Sequence, residues 1–393
     1  MKPSSKFDII VYGATGFTGQ LVAEYLSTHY RGDGSLKWAM AGRSLDKLAS
    51  VRDAIGAAAD TALIVADASD PASLKAMVDQ TKSVISTVGP YQLYGSELVA
   101  ACAATGTDYL DLCGEPVWMR QMIDAHQATA QSSGARIVFS CGFDSLPFEL
   151  GVFFCQETAK KVLGAPVNRV KGRVRAMKGT FSGGTAASIK ATFAAAAKDL
   201  SLVAMLKDPF VLTPGFAGPK QPPGNKPAFD QDLDAWTAPF VMATINTRSV
   251  HRSNLLMGFP YGRDFVYDEM VLTGPGEKGE ANAKLVVAAN AQMGGAGGPK
   301  PGEGPSKQER ETGLYDLLFV GLAADGRQVR VAVRGDRDPG YGSTSKMIGE
   351  CAVCLLRDTP EVPAGIWTPG AAMGDRLIKR LVAHAGLKFD VET

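Results

Sequence analysis

Residues 9–12, Ile-Ile-Val-Tyr, run straight into glycines at 13, 16 and 19, and an amphipathic stretch over 20–30 follows at once. No other feature restricts the fold of this 393-residue chain so tightly. A strand, a glycine turn and a helix start in this order make a βα unit that closes on an anion. Gly13 permits the turn, Gly16 lets backbone approach phosphates, and Gly19 lets the helix lie close on the strand. The first N–H groups of a helix lack intrahelical partners and its dipole is positive at that end. A diphosphate is the ligand such a turn suits, with Thr15, Phe17 and Thr18 completing the loop.

The alternation continues. Apolar runs at 37–41, 62–66, 83–88, 108–112 and 135–140 are separated by helical stretches such as 71–80, 96–105 and 117–133. This predicts an α/β chain opening with a Rossmann-type doubly wound parallel sheet over 1–145. The pattern then changes. An extended segment at 167–178 precedes an alanine-rich helix at 184–200 and a shorter helical stretch at 202–208. Proline and glycine mark 213–230 as loop, before a strand at 261–272, an apolar helix at 283–293 and another loop at 294–305. Residues 314–322 and 327–334 alternate in polarity around Asp325-Gly326, a hairpin signal. A second, α+β domain with a mainly antiparallel sheet is expected over 146–342, its open sheet able to pair two subunits as a homodimer. C-terminal helices over 343–393 are expected to pack back on the nucleotide domain.

Charge excludes some partners. Lys+Arg is 41 against Asp+Glu 40, which leaves no basic surface for nucleic acid. No run approaches the ~20 apolar residues of a membrane span, so membrane contact is expected to be peripheral at most. The first six residues carry no apolar signal core, and the cysteines (102, 113, 141, 155, 351 and 354) read as reduced thiols, so a cytoplasmic location is expected. No metal site is expected: His-Glu-x-x-His is absent and Cys351/Cys354 lack a second ligand pair. No tyrosine is followed four residues on by lysine, and no Gly-x-Ser-x-Gly elbow occurs.

NAD-binding folds end the second strand on a carboxylate that takes the ribose hydroxyls. Here that strand ends Ala41-Gly42-Arg43-Ser44. Arg43 is a planar cation suited to a phosphate, and Ser44 and Lys47 add donors, so the expected cofactor is NADP(H). Asp67, after the third strand, is expected beside the adenine. Val88, Gly89 and Pro90 follow the fourth strand at the sheet's carboxyl edge and are expected as a rigid turn under the nicotinamide.

Five segments now stand in one order: 13–19, Ala41-Gly-Arg-Ser44, Thr87-Val-Gly-Pro-Tyr91, Asp111-Leu-Cys-Gly-Glu115 and Cys141-Gly-Phe-Asp-Ser-Leu-Pro147. They resemble the saccharopine dehydrogenase-like oxidoreductases. Segments 182–185, 246–253, 261–263, 300–306 and 367–374 resemble the mycobacterial trans-acting enoyl reductases within that group. The resemblance implies a nicotinamide-dependent reductase in lipid or polyketide assembly. Its partner would be an acyl thioester on a synthase's acyl carrier or on coenzyme A. The broader family implies an alternative, oxidation and reduction at a C–N bond of an amino acid. A nucleotide-binding scaffold at lipid surfaces is a third reading. Two departures from the family pattern are Phe148-Glu149, expected to alter the pocket entrance, and a short apolar segment at 283–293.

For an enoyl thioester, hydride reaches the β-carbon, the thioester oxygen needs a donor and the α-carbon needs a proton. Tyr91, then Tyr94, are the candidate donors; a wall aromatic is the plainer role for Tyr91. Asp144 is a candidate acid or substrate anchor, although with Ser145 it reads more readily as the cap of a helix starting near Pro147. Arg248, Arg252 and Arg263, with His251, form a basic cluster suited to a phosphopantetheine arm or to solvent. Ser182 to Thr185 could hold an anion or simply start a helix.

Overall fold

A computed structural model describes residues 5–31, 34, 36–180, 182–292 and 302–392, so most of the expected loop at 294–305 lies outside the described residues. The amino-terminal strands are β1 (Phe7–Tyr12), β2 (Trp38–Gly42), β3 (Ala62–Val65), β4 (Thr81–Ser86), β5 (Asp108–Asp111) and β6 (Arg136–Val138). They lie in the order β6-β5-β4-β1-β2-β3, all parallel. β1 is central and covered on both faces, which is why it is an unbroken apolar run. Ile9 and Val11 enter one core layer, and Phe7, Ile10 and Tyr12 the other. Register sets Tyr12 beside Ala41 of β2 and Ser86 of β4. The glycine turn, the Arg43 corner and the Thr87–Pro90 turn therefore emerge at one sheet edge.

The second sheet holds β7 (Arg169–Lys178), β8 (Ala228–Asp230), β9 (Ala235–Pro239), β10 (Val266–Gly274), β11 (Leu314–Leu322) and β12 (Gln328–Gly335). β10 runs parallel to β7; the other pairings are antiparallel. Strand period sorts its faces. Val170, Gly172 and Val174 alternate on β7 with Arg169, Lys171, Arg173 and Arg175. The charged face is an ion-pair carpet: Arg173 meets Asp230 and Asp268, and Arg175 meets Asp316 and Glu392. The apolar face packs on the helix Leu146–Leu163. Gly151 of that helix has no room for a Cβ, because the Phe319 ring fills the space.

The C-terminal segment departs from expectation. Its helices include Thr344–Val353, which packs on Phe17–His29, but it also supplies a strand to each sheet. β13 (Gly365–Trp367) extends the parallel sheet beyond β6, and β14 (Leu387–Glu392) extends the second sheet beyond β12. β13 is three residues among prolines, and β14 is a polar edge strand; neither carries a periodic signal long enough to read. The helix Ala243–Leu256 and the β8–β9 hairpin were also not legible, and the helix expected over 283–293 begins at Gly276. Buried Glu350 ties the C-terminal segment to the first helix. It accepts from Tyr25 at 2.6 Å and Tyr30 at 2.7 Å and pairs with Arg380 at 2.8 Å.

Phe319→Ala should cost about 3–5 kcal/mol of stability through the cavity it opens over Gly151. Urea unfolding would measure it, and a loss below ~1 kcal/mol would mean the helix collapses onto the sheet.

Candidate active site

The glycine turn is built by close approach. Gly13 has φ +87°, and a Cβ there would sit 2.7 Å from both Thr87 Oγ1 and Val88 Cγ2. A Cβ on Gly19 would overlap the Gly13 carbonyl. Gly13 N and Ala14 N are held by the Ala41 carbonyl at 3.0 and 3.1 Å. Thr87 Oγ1 donates toward Tyr12 O at 3.1 Å and Gly13 O at 3.3 Å, tying the fourth strand's exit to the turn. Gly16 is the exposed N-cap of Phe17–His29 and offers no side-chain cap. The first backbone bond of that helix is Gln20 N to Gly16 O at 2.9 Å. N–H groups in the first turn, around Phe17, Thr18 and Gly19, are thus available to an anion, with Thr15 beside them. The cradle fits a dinucleotide diphosphate: a Cβ at any of the three glycines would crowd or block it.

At the adenosine end, Arg43 and Lys47 are exposed, and Ser44 caps the next helix by accepting from Lys47 N at 3.4 Å. Asp67 accepts from Ser69 N at 2.9 Å and Ser69 Oγ at 2.8 Å, which holds its carboxyl below the usual range, with Arg43 adding to the effect. Burial pushes the nearby Tyr12 phenol up to about 12. Among the described residues Arg43 makes no ion pair within contact distance, and it lies exposed just after a strand that ends without a carboxylate.

At the other end, Gly89 is exposed and joined to Pro90 by a cis peptide. The turn is held from below. Glu115 accepts from Tyr91 N and Gln92 N, one bond per carboxylate oxygen, both at 2.9 Å. Asp111 accepts from Cys113 N at 3.0 Å, Ser140 N at 2.9 Å and Tyr109 OH at 3.0 Å. Burial still pushes its carboxyl up to about 7. The segment 111–115 is thus a brace for the turn. The helix Gly183–Lys198 lies over it: Ser188 Oγ is 3.8 Å from a Cβ built on Gly89, and Thr192 Oγ1 accepts from Gln92 at 3.2 Å. Ser182 leaves that helix without a side-chain cap, and the side chain of Thr185 lies outside the described residues.

Several expected roles are corrected. Tyr91 is buried; its hydroxyl donates to Ser86 O at 3.1 Å and accepts from Leu112 N at 3.1 Å. A phenol so committed has nothing left for substrate. Tyr94 is 48% exposed, and its hydroxyl makes no hydrogen bond among the described residues. Arg248 and Arg252 do not face a substrate arm. Arg248 donates to Thr244 O and Leu206 O, both at 2.5 Å. Arg252 donates to Leu212 O at 2.8 Å and Ile366 O at 2.7 Å. Both guanidiniums are buried, and desolvation lowers each to about 10. They pin loop 206–212, and Arg252 also pins β13. His251, lowered to about 3 by burial and by Arg248, is neutral. Arg263 is exposed, with its guanidinium 5.0 Å from the Phe216 ring centroid and 4.4 Å from that of Phe259. Phe148 and Glu149 line no entrance: they are 1% and 2% exposed.

Asp144 and Ser145 do not cap the helix that follows. Ser145 is its N-cap residue without a side-chain cap bond, and it donates instead to Ser249 Oγ at 3.2 Å. Asp144 Oδ1 is buried without a partner, and burial alone pushes the carboxyl up to about 7. A second acid stands on β10. Glu269 accepts from Asn246 at 2.8 Å and Tyr267 at 2.9 Å, and burial pushes it up to about 8. Gly172 makes room for this pair, since its Cβ would lie 2.7 Å from Tyr267 OH. Sequence reading missed Glu269, though its inward place in the strand period was a usable signal.

Among the described residues no group of three or more His, Cys, Asp or Glu could hold a metal, and no helix is long and apolar enough to cross a membrane. A fold of this topology, with a glycine cradle after β1 and a cis-proline turn after β4 at the same sheet edge, defines a dinucleotide-dependent oxidoreductase. Residues 9–138 match the saccharopine dehydrogenase NADP-binding domain. A Mycobacterium tuberculosis protein named as a candidate trans-acting enoyl reductase is 39% identical, covering 96% of both chains. Trans-acting enoyl reductases of Mycobacterium ulcerans and Mycobacterium bovis are each 36% identical, covering 96% and 97% of both chains. Apo saccharopine dehydrogenase (L-Glu forming) of Saccharomyces cerevisiae shares the fold, with TM-score 0.55 at 11% identity over 98% of this chain and 100% of that one. The chain belongs to the trans-acting enoyl reductases of the saccharopine dehydrogenase-like family, and its cofactor is NADP(H).

Arg43→Asp should weaken NADPH binding roughly 10–100-fold, as loss of about 1.5–3 kcal/mol of charged hydrogen bonding predicts, and should favour NADH. Calorimetry with both cofactors measures this; an unchanged NADPH preference would remove Arg43 from the site. Arg252→Ala should lower stability by about 2–3 kcal/mol and leave NADPH affinity unchanged, because it strips two buried carbonyls. Thermal unfolding and calorimetry together check it, and undiminished stability would return Arg252 to the substrate side.

Proposed function

We propose that the chain reduces the carbon–carbon double bond of an enoyl thioester, delivered on an acyl carrier or coenzyme A, and acts in trans on a polyketide or lipid synthase. The names of the full-length relatives support this reading. The observation that carries it is the allocation of charge in the cleft. Amino-acid chemistry needs a cation for the α-carboxylate, and Arg248 and Arg252 spend their donors on backbone carbonyls. Asp144, after β6 at the same carboxyl edge of the sheet, has an Oδ1 buried without a partner among the described residues.

NADPH supplies the hydride when bound. The chain's own residues do the rest. The Gly13–Gly19 loop would take the diphosphate, with Thr15, Phe17 and Thr18 on the same turn. Arg43, Ser44 and Lys47 would take the 2′-phosphate, and Asp67 the adenosine side. Val88, Gly89 and Pro90 would set the plane of the nicotinamide, held by Glu115 and Asp111. The helix Gly183–Lys198 would cover the turn and exclude water from the reacting carbon. Tyr94, free at the turn's end, is the remaining phenol that could donate to the thioester oxygen.

Purified chain should oxidise NADPH with a trans-2-enoyl thioester of coenzyme A or N-acetylcysteamine, at a rate at least ~100-fold above that with glutamate and an aldehyde. The saturated thioester should appear in equal amount by mass spectrometry. Turnover with the amino-acid pair and none with thioesters would replace this reading with C–N chemistry.

A further inference from the structure

Resting on the enoyl-reductase reading, we propose that Asp144 and Glu269 form a two-carboxyl proton store in the cleft, from which Asp144 protonates the α-carbon of the substrate. One helix brings the two acids together. On Ala243–Leu256, Ser249 receives the hydroxyl of Ser145, next to Asp144, while Asn246, one turn earlier, donates to Glu269. Asn246 and Ser249, three apart on the helix, stand about 5–6 Å from each other on one face, so that face holds both Glu269 and Ser145, the residue after Asp144. After burial and the charge of Asp268, the charge of Asp144 adds to what raises Glu269. Asp144 comes from the carboxyl edge of the nucleotide sheet and Glu269 from the second sheet, so the pair spans the junction where a substrate reaching the nicotinamide must lie.

The surroundings favour a proton over a salt bridge. Among the described residues no Lys, Arg or His pairs with either acid. The neighbouring Asp268 points to the sheet's other face, where Arg169 and Arg173 hold it. Among the described residues, the titratable group hydrogen-bonded to Glu269 is the Tyr267 phenol, which donates to Oε1. Gly172 on the adjacent strand adds no charge. Asn246 is fully buried, its amide nitrogen is committed to Glu269, and its Oδ1 lacks a donor. Asp144 Oδ1 is likewise buried without a donor. Buried acceptors without donors and a carboxylate without a cation are all costly, and one or two protons relieve them. Asp144 is nevertheless partly exposed as a residue, so it can meet substrate and solvent, whereas Glu269 is sealed at 1%.

The step balances as follows. Hydride, carrying two electrons, forms the C–H bond at the β-carbon, and the thioester oxygen takes the negative charge. As that charge returns to the α-carbon, the Asp144 O–H bond breaks and a second C–H bond forms. Asp144 is left ionised, is recharged from the Glu269 carboxyl or from water, and NADP⁺ and the saturated thioester leave. Glu269 touches no reacting atom; it is a positioning residue, the second and more tightly protonated carboxyl, and ionisation of Asp144 raises it further. With both carboxyls raised, to about 7 and about 8, the store is filled below neutrality and empties as pH rises through that range. Turnover should therefore have an alkaline limb.

Infrared difference spectroscopy on the full chain, without cofactor or substrate, reads the store directly. The wild type should show a protonated-carboxyl band at neutral pH that is lost on alkalinisation and is reduced in both Asp144→Asn and Glu269→Gln. With NADPH and an enoyl thioester, Asp144→Asn should lower kcat ~100-fold or more while NADPH affinity by calorimetry stays unchanged. Asp144→Glu should recover part of the loss, and Glu269→Gln should shift the alkaline limb. A wild-type spectrum without the band, or full kcat in Asp144→Asn, overturns the store. A band present in a protein that turns over no thioester leaves the store standing and removes the enoyl-reductase reading instead.

Discussion

The cleft depends first on how closely the helix Phe17–His29 approaches the end of β1. Gly19 stands so near the Gly13 carbonyl that hydrogen is the only side chain that fits. That contact aims the helix's uncapped amino end at the sheet edge. Thr87 bridges the same turn to β4 through the Tyr12 and Gly13 carbonyls, so the glycine loop and the Thr87–Pro90 turn are tied together. Glu115 then holds the Thr87–Pro90 turn from beneath through the N–H groups of Tyr91 and Gln92, and Asp111 orders the 111–115 segment through those of Cys113 and Ser140. A cofactor laid across this edge would meet preformed groups and need little reorganisation.

Buried polar groups elsewhere serve a different end. Arg248 and Arg252 are fully charged residues used as clamps on carbonyls, a costly choice that holds loop 206–212 on the helix Ala243–Leu256. Arg252 reaches β13 as well, and β13 belongs to the nucleotide sheet. The same helix carries Asn246 and Ser249, which meet Glu269 and Ser145. One element of the second domain is therefore bolted to the first and also arranges the acid pair. A shift of this helix would be felt at both.

How much of this was legible follows from what each signal measures. Glycine spacing reports backbone approach, so Gly13, Gly16, Gly19 and the strands around them were readable. The exposed place of Arg43 just after β2 was readable, because a strand end leaves little choice of direction. Residue type without burial misled: Tyr91 was placed correctly after its turn, yet its hydroxyl belongs to Ser86 and Leu112. The arginines at 248 and 252 looked like a binding patch because a polar sequence, Asn-Thr-Arg-Ser-Val-His-Arg-Ser, was not recognised as a buried helix. A helix polar around most of its surface carries no apolar stripe to mark it as buried. β13 and β14 were hidden for the opposite reason, being too short or too polar to show a period of two.

Asp144 shows where local and tertiary reasoning part. Asp-Ser-Leu-Pro before a helix is a sound local cap signal. Had Asp144 capped the helix, donors from backbone N–H would have kept it ionised and inert. The chain instead turns through Asp144 and Ser145 so that Ser145 bonds across to Ser249, and the carboxyl is left without a donor. An acid left without donors in a dry place holds its proton at a pH where ordinary carboxyls have lost theirs. Failing to cap thus leaves the carboxyl without a donor, and it happens because Ser249, on the second domain's helix, takes the serine hydroxyl instead.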